Sequence, residues 1–345
     1  MKILVIKRDK IGDMLLTTPM LHHLRAQLPQ AEIHMLANDY NAWILAENPC
    51  VDHLWIYPRV RHDGCLRWGA VVEQIKIFLK LRSIFFDAII IAGGDESPRA
   101  IKRLKYLRGR EKIAYCDQKK WQYFLTSAFP VPKEKDQLHE VERNLTLLTA
   151  LSIPMPAISP LPFYTPSHDV CDMALYWLRT HGLVAKQFVV IGVNARRLKR
   201  KPTLEQVISW AQYCKNFYQL DTILMWTPGL FHSKLYPGDD AYVQPLLEKN
   251  IPYIHPFRHE TLMPALGILK YARLAILPDG GLVHLASVLA EGAIALFAET
   301  NISPHPTQWA PRGQNTAFIE AKKSVSEIPD QTIFTLIDRL LSKNK

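Results

Sequence analysis

Ile153-Pro154-Met155-Pro156-Ala157-Ile158-Ser159-Pro160-Leu161-Pro162-Phe163-Tyr164-Thr165-Pro166 decides how the 345-residue chain is divided. Each proline lacks an amide donor and fixes its own φ, so neither a helix nor a central strand can run through this stretch. The same alternation of short β-rich runs and longer helical patterns appears on both sides of it. Upstream it predicts strands near 2–6, 31–36, 52–56, 87–92 and 111–115, and helices near 12–28, 67–83, 97–107 and 138–151. Downstream it predicts strands near 187–193, 221–227, 251–255, 273–277 and 293–297. The helices there fall near 170–181, 203–218, 260–271 and 281–290, with a last one near 329–342. This alternation is the signature of parallel sheets covered by helices. The expected fold class is α/β, two doubly wound Rossmann-like domains facing across a cleft. Their spans are 1–153 and 169–325, with a Pro-rich linker at 154–168 and a C-terminal helix within 326–345.

Composition narrows the function. Hydrophobic residues make up 48% and charged residues 21%, enough apolar surface for two cores and too little charge for a disordered chain. The net charge of +10 favours polyanionic partners: nucleic acid, anionic lipid or a phosphorylated substrate. The basic runs lack the interleaved aromatics of a stacking platform, so nucleic acid is not an expected partner. The apolar run at 3–6 is too short for a signal sequence, and Asp279, His284 and Glu291 interrupt the longest apolar stretch, 274–298. A cytoplasmic protein with at most peripheral membrane contact is expected. The five scattered cysteines form no CxxC pair and suggest neither a disulfide framework nor a zinc site.

Open α/β sheets bind ligands beyond the carboxyl ends of their strands, and three segments there carry possible chemistry. The first strand runs through Lys7-Arg8-Asp9-Lys10-Ile11-Gly12-Asp13, where Asp13 is either a helix-stabilising acid or a general base. The segment Asn194-Ala195-Arg196-Arg197-Leu198-Lys199-Arg200-Lys201-Pro202 holds five basic residues within six positions, suited to a diphosphate. Asp279-Gly280-Gly281-Leu282-Val283-His284 opens a helix whose N–H groups could bind phosphate oxygens, with His284 either a donor contact or a core histidine. A second basic run, Arg99 to Lys112, reads as an amphipathic helix with a solvated face or as a dock for anionic headgroups.

Together these pieces resemble glycosyltransferase family 9, the bacterial lipopolysaccharide heptosyltransferases of GT-B fold. The segments Met1 to Ile6 and Ile11-Gly12-Asp13-Met14-Leu15-Leu16-Thr17-Thr18-Pro19 are similar to the family's opening. His139-Glu140-Val141-Glu142-Arg143-Asn144 resembles its segment before the linker, and Lys199-Arg200-Lys201-Pro202 its Lys-x-Trp-Pro motif. Asp279-Gly280-Gly281-Leu282-Val283-His284-Leu285-Ala286 resembles its Asp-Thr-Gly-x-x-His-Leu-Ala motif. Lys201 stands in place of the tryptophan and Gly280 in place of the threonine, and Thr227-Pro228-Gly229-Leu230-Phe231-His232 lacks the usual acid.

The resemblance implies transfer of a sugar, usually heptose from ADP-heptose, to an inner-core sugar of a lipid A precursor with inversion. It implies Asp13 as base and Lys199 as the diphosphate ligand. The expected donor set is Asn194, Arg196, Lys199, Lys201, Thr227, Asp279, Gly280, Gly281 and His284. Lys7, Lys10, Arg99, Lys102 and Arg103 are expected to meet the acceptor or the inner membrane. No metal or other cofactor is expected, since no Asp-x-Asp occurs. The alternatives are a related transferase using another nucleotide sugar, a nucleotide-sugar epimerase, and a non-catalytic sugar-nucleotide binder.

Overall fold

The computed structural model describes residues 1–62, 65–133, 138–229, 238–299 and 305–342. The chain forms two compact units, Met1–Tyr164 and Thr165–Lys345. The sheet of the first unit contains β1 (Lys2–Ile6), β2 (Glu32–Asn38), β3 (His53–Tyr57), β4 (Phe85–Ile91), β5 (Arg108–Tyr115) and β6 (Ser127–Phe129). The second unit has β7 (Phe188–Gly192), β8 (Asp221–Trp226), β9 (Ile254–Arg258), β10 (Leu274–Pro278), β11 (Ala293–Ala298) and β12 (Thr316–Ala321). The strand orders are β3-β2-β1-β4-β5-β6 and β9-β8-β7-β10-β11-β12, so each unit repeats one doubly wound plan. All pairings within the two sheets are parallel.

Central strands β1, β7 and β10 read as unbroken apolar runs because helices cover both faces of each sheet. Ile3, Leu4, Val5 and Ile6 are at most 2% exposed, and burying each such side chain stabilises the fold by roughly 1.5–3 kcal/mol. The strand order reverses beside β1 and β7. The loops following those strands therefore stand at the switch points where such sheets hold ligands.

Several elements differ from expectation for local reasons. The helix expected over 12–28 is two helices, α1 (Ile11–Leu15) and α2 (Thr18–Gln27). Thr17 and Thr18 donate their hydroxyls to the Asp13 and Leu15 carbonyls, and Pro19 has no N–H to continue the ladder. The expected helix at 97–107 is shorter, α4 (Pro98–Arg103) plus one 3₁₀ turn, Leu104–Tyr106, and it follows α3 (Trp68–Ser83). The basic residues from 108 to 112 lie on β5, so the 99–112 run is not one amphipathic helix. The helix expected at 138–151 is α5 (Glu140–Thr146) with a 3₁₀ continuation. β9 lies three residues beyond its expected place.

The principal helices of the second unit are α6 (His168–Thr180), α7 (Leu204–Tyr218), α8 (Asp240–Leu247), α9 (Leu262–Lys270), α10 (Gly281–Leu289) and α11 (Asp330–Ser342). Thr203 and Gln206 form a reciprocal capping box that starts α7 directly after Pro202. Asp330 accepts the Trp210 indole N–H at 2.8 Å, and Ile333, Ile337, Leu340 and Leu341 join the second core. The terminal helix is thereby part of the second unit's packing.

Candidate active site

The first unit gathers its chemistry in the loop between β1 and α1. Asn38 and Asn41, both buried at the end of β2, donate their side-chain amides to the carbonyls of Arg8 (2.6 Å) and Asp9 (3.1 Å). These bonds hold the loop so that Lys7 points inward. Its Nζ, 1% exposed, lies 3.3 Å from Asp9, 3.5 Å from Glu140 and 3.8 Å from Asp13. Burial alone would lower the Lys7 ammonium, but the three carboxylates outweigh it and hold it well above the usual lysine range.

Glu140 is fixed in turn. Its Oε1 accepts the Gly94 N–H at 3.0 Å, while Asn144 Oδ1 accepts the Gly93 N–H at 2.8 Å. Gly93 has φ +129°, and a Cβ at Gly94 would stand 2.2 Å from Arg143 Cδ, so this approach needs glycine at both positions. The segment from His139 to Asn144 is thus a buried polar buttress behind the β1 loop.

Asp13 stands in the first turn of α1 with its side chain 17% exposed. Burial pushes its carboxyl up to about 6; Lys7 opposes the shift, while the Asp9 and Glu140 charges add to it. Such a group is ionised at neutral pH yet far more basic than an ordinary aspartate, which suits a general base.

In the second unit the basic run leaves the end of β7 as one 3₁₀ turn, Leu198–Arg200. Glu299, just beyond β11, accepts Arg197 at 3.4 Å and Lys199 at 3.7 Å; Asp279, just beyond β10, accepts Arg200 at 3.3 Å. These pairs bring three strand ends together. Glu299 has φ +56°, a left-handed conformation that non-glycine residues rarely adopt and that recurs at functional sites. Lys199 is 66% exposed and Arg196 is also exposed, so both are open to a ligand.

Gly280 and Gly281 lie exposed where α10 begins. No atom stands within 4 Å of a Cβ built on Gly280, so the missing threonine side chain has room there. His284 follows in the first turn, 4% exposed; among the described residues its Nδ1 has no hydrogen-bond partner. Burial lowers it to about 4, leaving a neutral imidazole at physiological pH. A helix N-terminus that among the described residues has no side-chain cap, with Arg200 paired to the preceding Asp279 and a neutral imidazole in its first turn, can receive a diphosphate.

Several expected contacts are corrected. Lys7, expected at the surface, is instead buried among Asp9, Asp13 and Glu140. Arg103 is half-buried, its guanidinium over the Tyr57 and Phe78 rings at 5.4 and 5.3 Å; Lys102 lies over Trp121 at 4.7 Å. Lys10 and Arg99 are exposed. Lys201, expected to be open to the donor, is fully buried against Asp239. The Asn194 amide is hydrogen-bonded to Thr227 Oγ1 (2.9 Å) and His259 Nε2 (3.3 Å), so Asn194 and Thr227 brace the ends of β7 and β8. Leu230, Phe231 and His232 lie outside the described residues.

Sequence reasoning missed Asp239, His259 and Glu299, and it gave Glu140 no role. Their signal is pairing, which depends on tertiary structure. Only the opposite charges of Lys201 and Asp239 could have suggested one such pair.

Glu32, His34 and His53 form a cluster with metal-ligating atoms, at the opposite ends of β2 and β3 from Asp13. His34 Nδ1 accepts the Trp55 indole N–H at 3.1 Å, so its Nε2 carries the proton given to Glu32. That tautomer makes the trio a hydrogen-bonded set rather than a cation site.

No protein-family model matches the chain. It is similar to the lipopolysaccharide heptosyltransferase 3 of Escherichia coli, 25% identical over 308 residues, covering 84% of this chain and 81% of that protein. Its fold matches the solved glycosyl transferase family 9 structure from Veillonella parvula DSM 2008, with TM-score 0.80 and 15% identity over 99% of this chain and 97% of that one. It also matches the E. coli heptosyltransferase WaaC with ADP, with TM-score 0.74 and 18% identity over 98% of this chain and 99% of that one. In sequence the chain is similar to lipopolysaccharide heptosyltransferases, in fold it matches glycosyltransferase family 9 structures, and it is a glycosyltransferase of GT-B architecture.

Proposed function

We propose that the protein transfers heptose from ADP-heptose, with inversion, to an inner-core sugar of a lipopolysaccharide precursor. The observation that carries this reading is Asp13, a partly exposed carboxylate whose affinity for protons is raised to about 6 above the buried Lys7–Glu140 pair. An inverting transfer needs a base to take the proton of the attacking hydroxyl while the sugar–phosphate bond breaks. It also needs positive charge where the nucleoside diphosphate leaves, and Lys199, Arg196 and the start of α10 offer it. Binding of the diphosphate would replace the Glu299 carboxylate at Lys199. The choice of ADP and heptose is supported by what the two E. coli proteins are named for and bound to.

The acceptor in this reading is an anionic, lipid-linked oligosaccharide, reached from the cytoplasmic face of the inner membrane. The surplus of positive charge supports that partner. No helix among the described residues is long and apolar enough to cross a membrane.

Thermal shift with ADP-heptose, UDP-sugars and GDP-sugars tests the donor, because only a ligand that binds the folded state raises the melting temperature. The ADP-sugar is expected to raise it most. Lys199→Ala should weaken that donor by about tenfold while leaving the unliganded melting temperature within a degree or two, since exposed ion pairs contribute only ~0–1 kcal/mol. A larger shift from a UDP- or GDP-sugar would overturn the ADP assignment.

A further inference from the structure

α3 has two faces. Ala70, Ile77 and Leu81 are buried against the first sheet. On the opposite face Trp68, Val72, Ile75 and Leu79 follow each other at spacings of four, three and four, and they are 73%, 50%, 54% and 62% exposed. Four large apolar side chains in one line along a helix differ from the scattered surface apolars of an ordinary protein. Basic residues border the line. Arg67 precedes the helix, Lys76 and Lys80 lie on one side and Arg82 on the other, all exposed, and Glu73 is the acidic residue within the helix. Lys76 already lies 3.9 Å from Glu73, leaving a net positive rim.

We propose that α3 is the membrane-docking element of this protein: the stripe from Trp68 to Leu79 inserts at the surface of an anionic bilayer while Arg67, Lys76, Lys80 and Arg82 meet its phosphate headgroups. The charge of the rim selects this occupant. A second copy of the chain would bring the same cations against each other, and four side chains make a band too narrow for the roughly 800 Å² per partner of a stable dimer. Apolar insertion with basic flanks is the chemistry of an interfacial helix. The inference deepens the peripheral-membrane reading above and moves the contact from the 99–112 run, where Arg103 is stacked between rings, to α3.

The test is vesicle cosedimentation of the full chain with phosphatidylcholine alone and with phosphatidylcholine containing phosphatidylglycerol. The wild-type protein should bind the mixed vesicles. Ile75→Ser/Leu79→Ser and Lys76→Glu/Lys80→Glu should each weaken that binding by about tenfold or more, with unchanged melting temperature and unchanged ADP-heptose thermal shift. Arg99→Glu/Lys102→Glu should change it less than threefold. Undiminished binding by both α3 variants, with loss by the 99/102 variant, would overturn the α3 assignment and keep the membrane reading. No binding by the wild-type protein, or equal binding to neutral vesicles, would overturn both. A concentration-dependent dimer abolished by Ile75→Ser/Leu79→Ser, with vesicle binding intact, would assign the stripe to a second copy instead.

Discussion

Asp13→Asn is expected to lower turnover by ~10²–10⁴-fold and to leave the protein folded and able to bind donor. An amide keeps the shape of the carboxylate but cannot take the acceptor proton. Stability should move the other way. The folded Asp13 carboxyl titrates at about 6 against an ordinary 3.8, so the folded chain retains a proton that the unfolded chain has already released. Stability is therefore lost as pH rises through that window, and the neutral amide removes the cost. Asp13→Asn should gain about 1–3 kcal/mol in denaturant unfolding at pH 7.5. The wild-type kcat/KM should rise with pH through an acid limb near 6, and this limb should be absent in the variant. Retention of more than about a tenth of wild-type turnover would remove Asp13 from the role of base. A loss of stability would show that it is a dipole-stabilising acid instead.

Lys201→Ala carries the largest expected cost to the fold. The Lys201 ammonium and the Asp239 carboxylate are both essentially inaccessible, and burial already pushes Asp239 upward against the stabilising effect of Lys201. Removing one partner leaves a buried charge alone, which costs about 3–5 kcal/mol. Denaturant unfolding should show this loss, whereas Lys201→Met/Asp239→Leu should recover most of it because neither charge then remains. Recovery is the decisive arm. If the double variant is as unstable as the single one, the pair does not account for the lysine at this position.

The fold was legible in the sequence where the physics is local. Apolar runs such as Ile3–Ile6 and Val189–Ile191 marked central strands, and the division after Tyr164 falls within the proline stretch from 154 to 166, most of which belongs to the first unit. Edge strands β6 and β12 escaped because one has three residues and the other is half-exposed. α8 escaped because Pro245 lies inside it and reads as a breaker. At the site, the residue types were legible and their partners were not. Lys7, Lys10, Arg103 and Lys201 look alike as letters, yet two are buried in ion pairs, one is stacked on rings and one is exposed. A lysine's role depends on carboxylates more than 30 residues away, Asp239 for Lys201 and Glu140 for Lys7. No periodicity in the chain reports those contacts.

The measurement that bears most directly on the account is a transfer assay. It combines ADP-heptose, a lipopolysaccharide precursor lacking its inner-core heptoses, and the purified protein in the presence of EDTA, with the anomeric product identified by NMR. The account predicts release of ADP, one heptose added to the precursor with inverted configuration, and turnover that persists without divalent metal. A donor that binds and is returned unchanged, or returned epimerised with no sugar on the precursor, would contradict it.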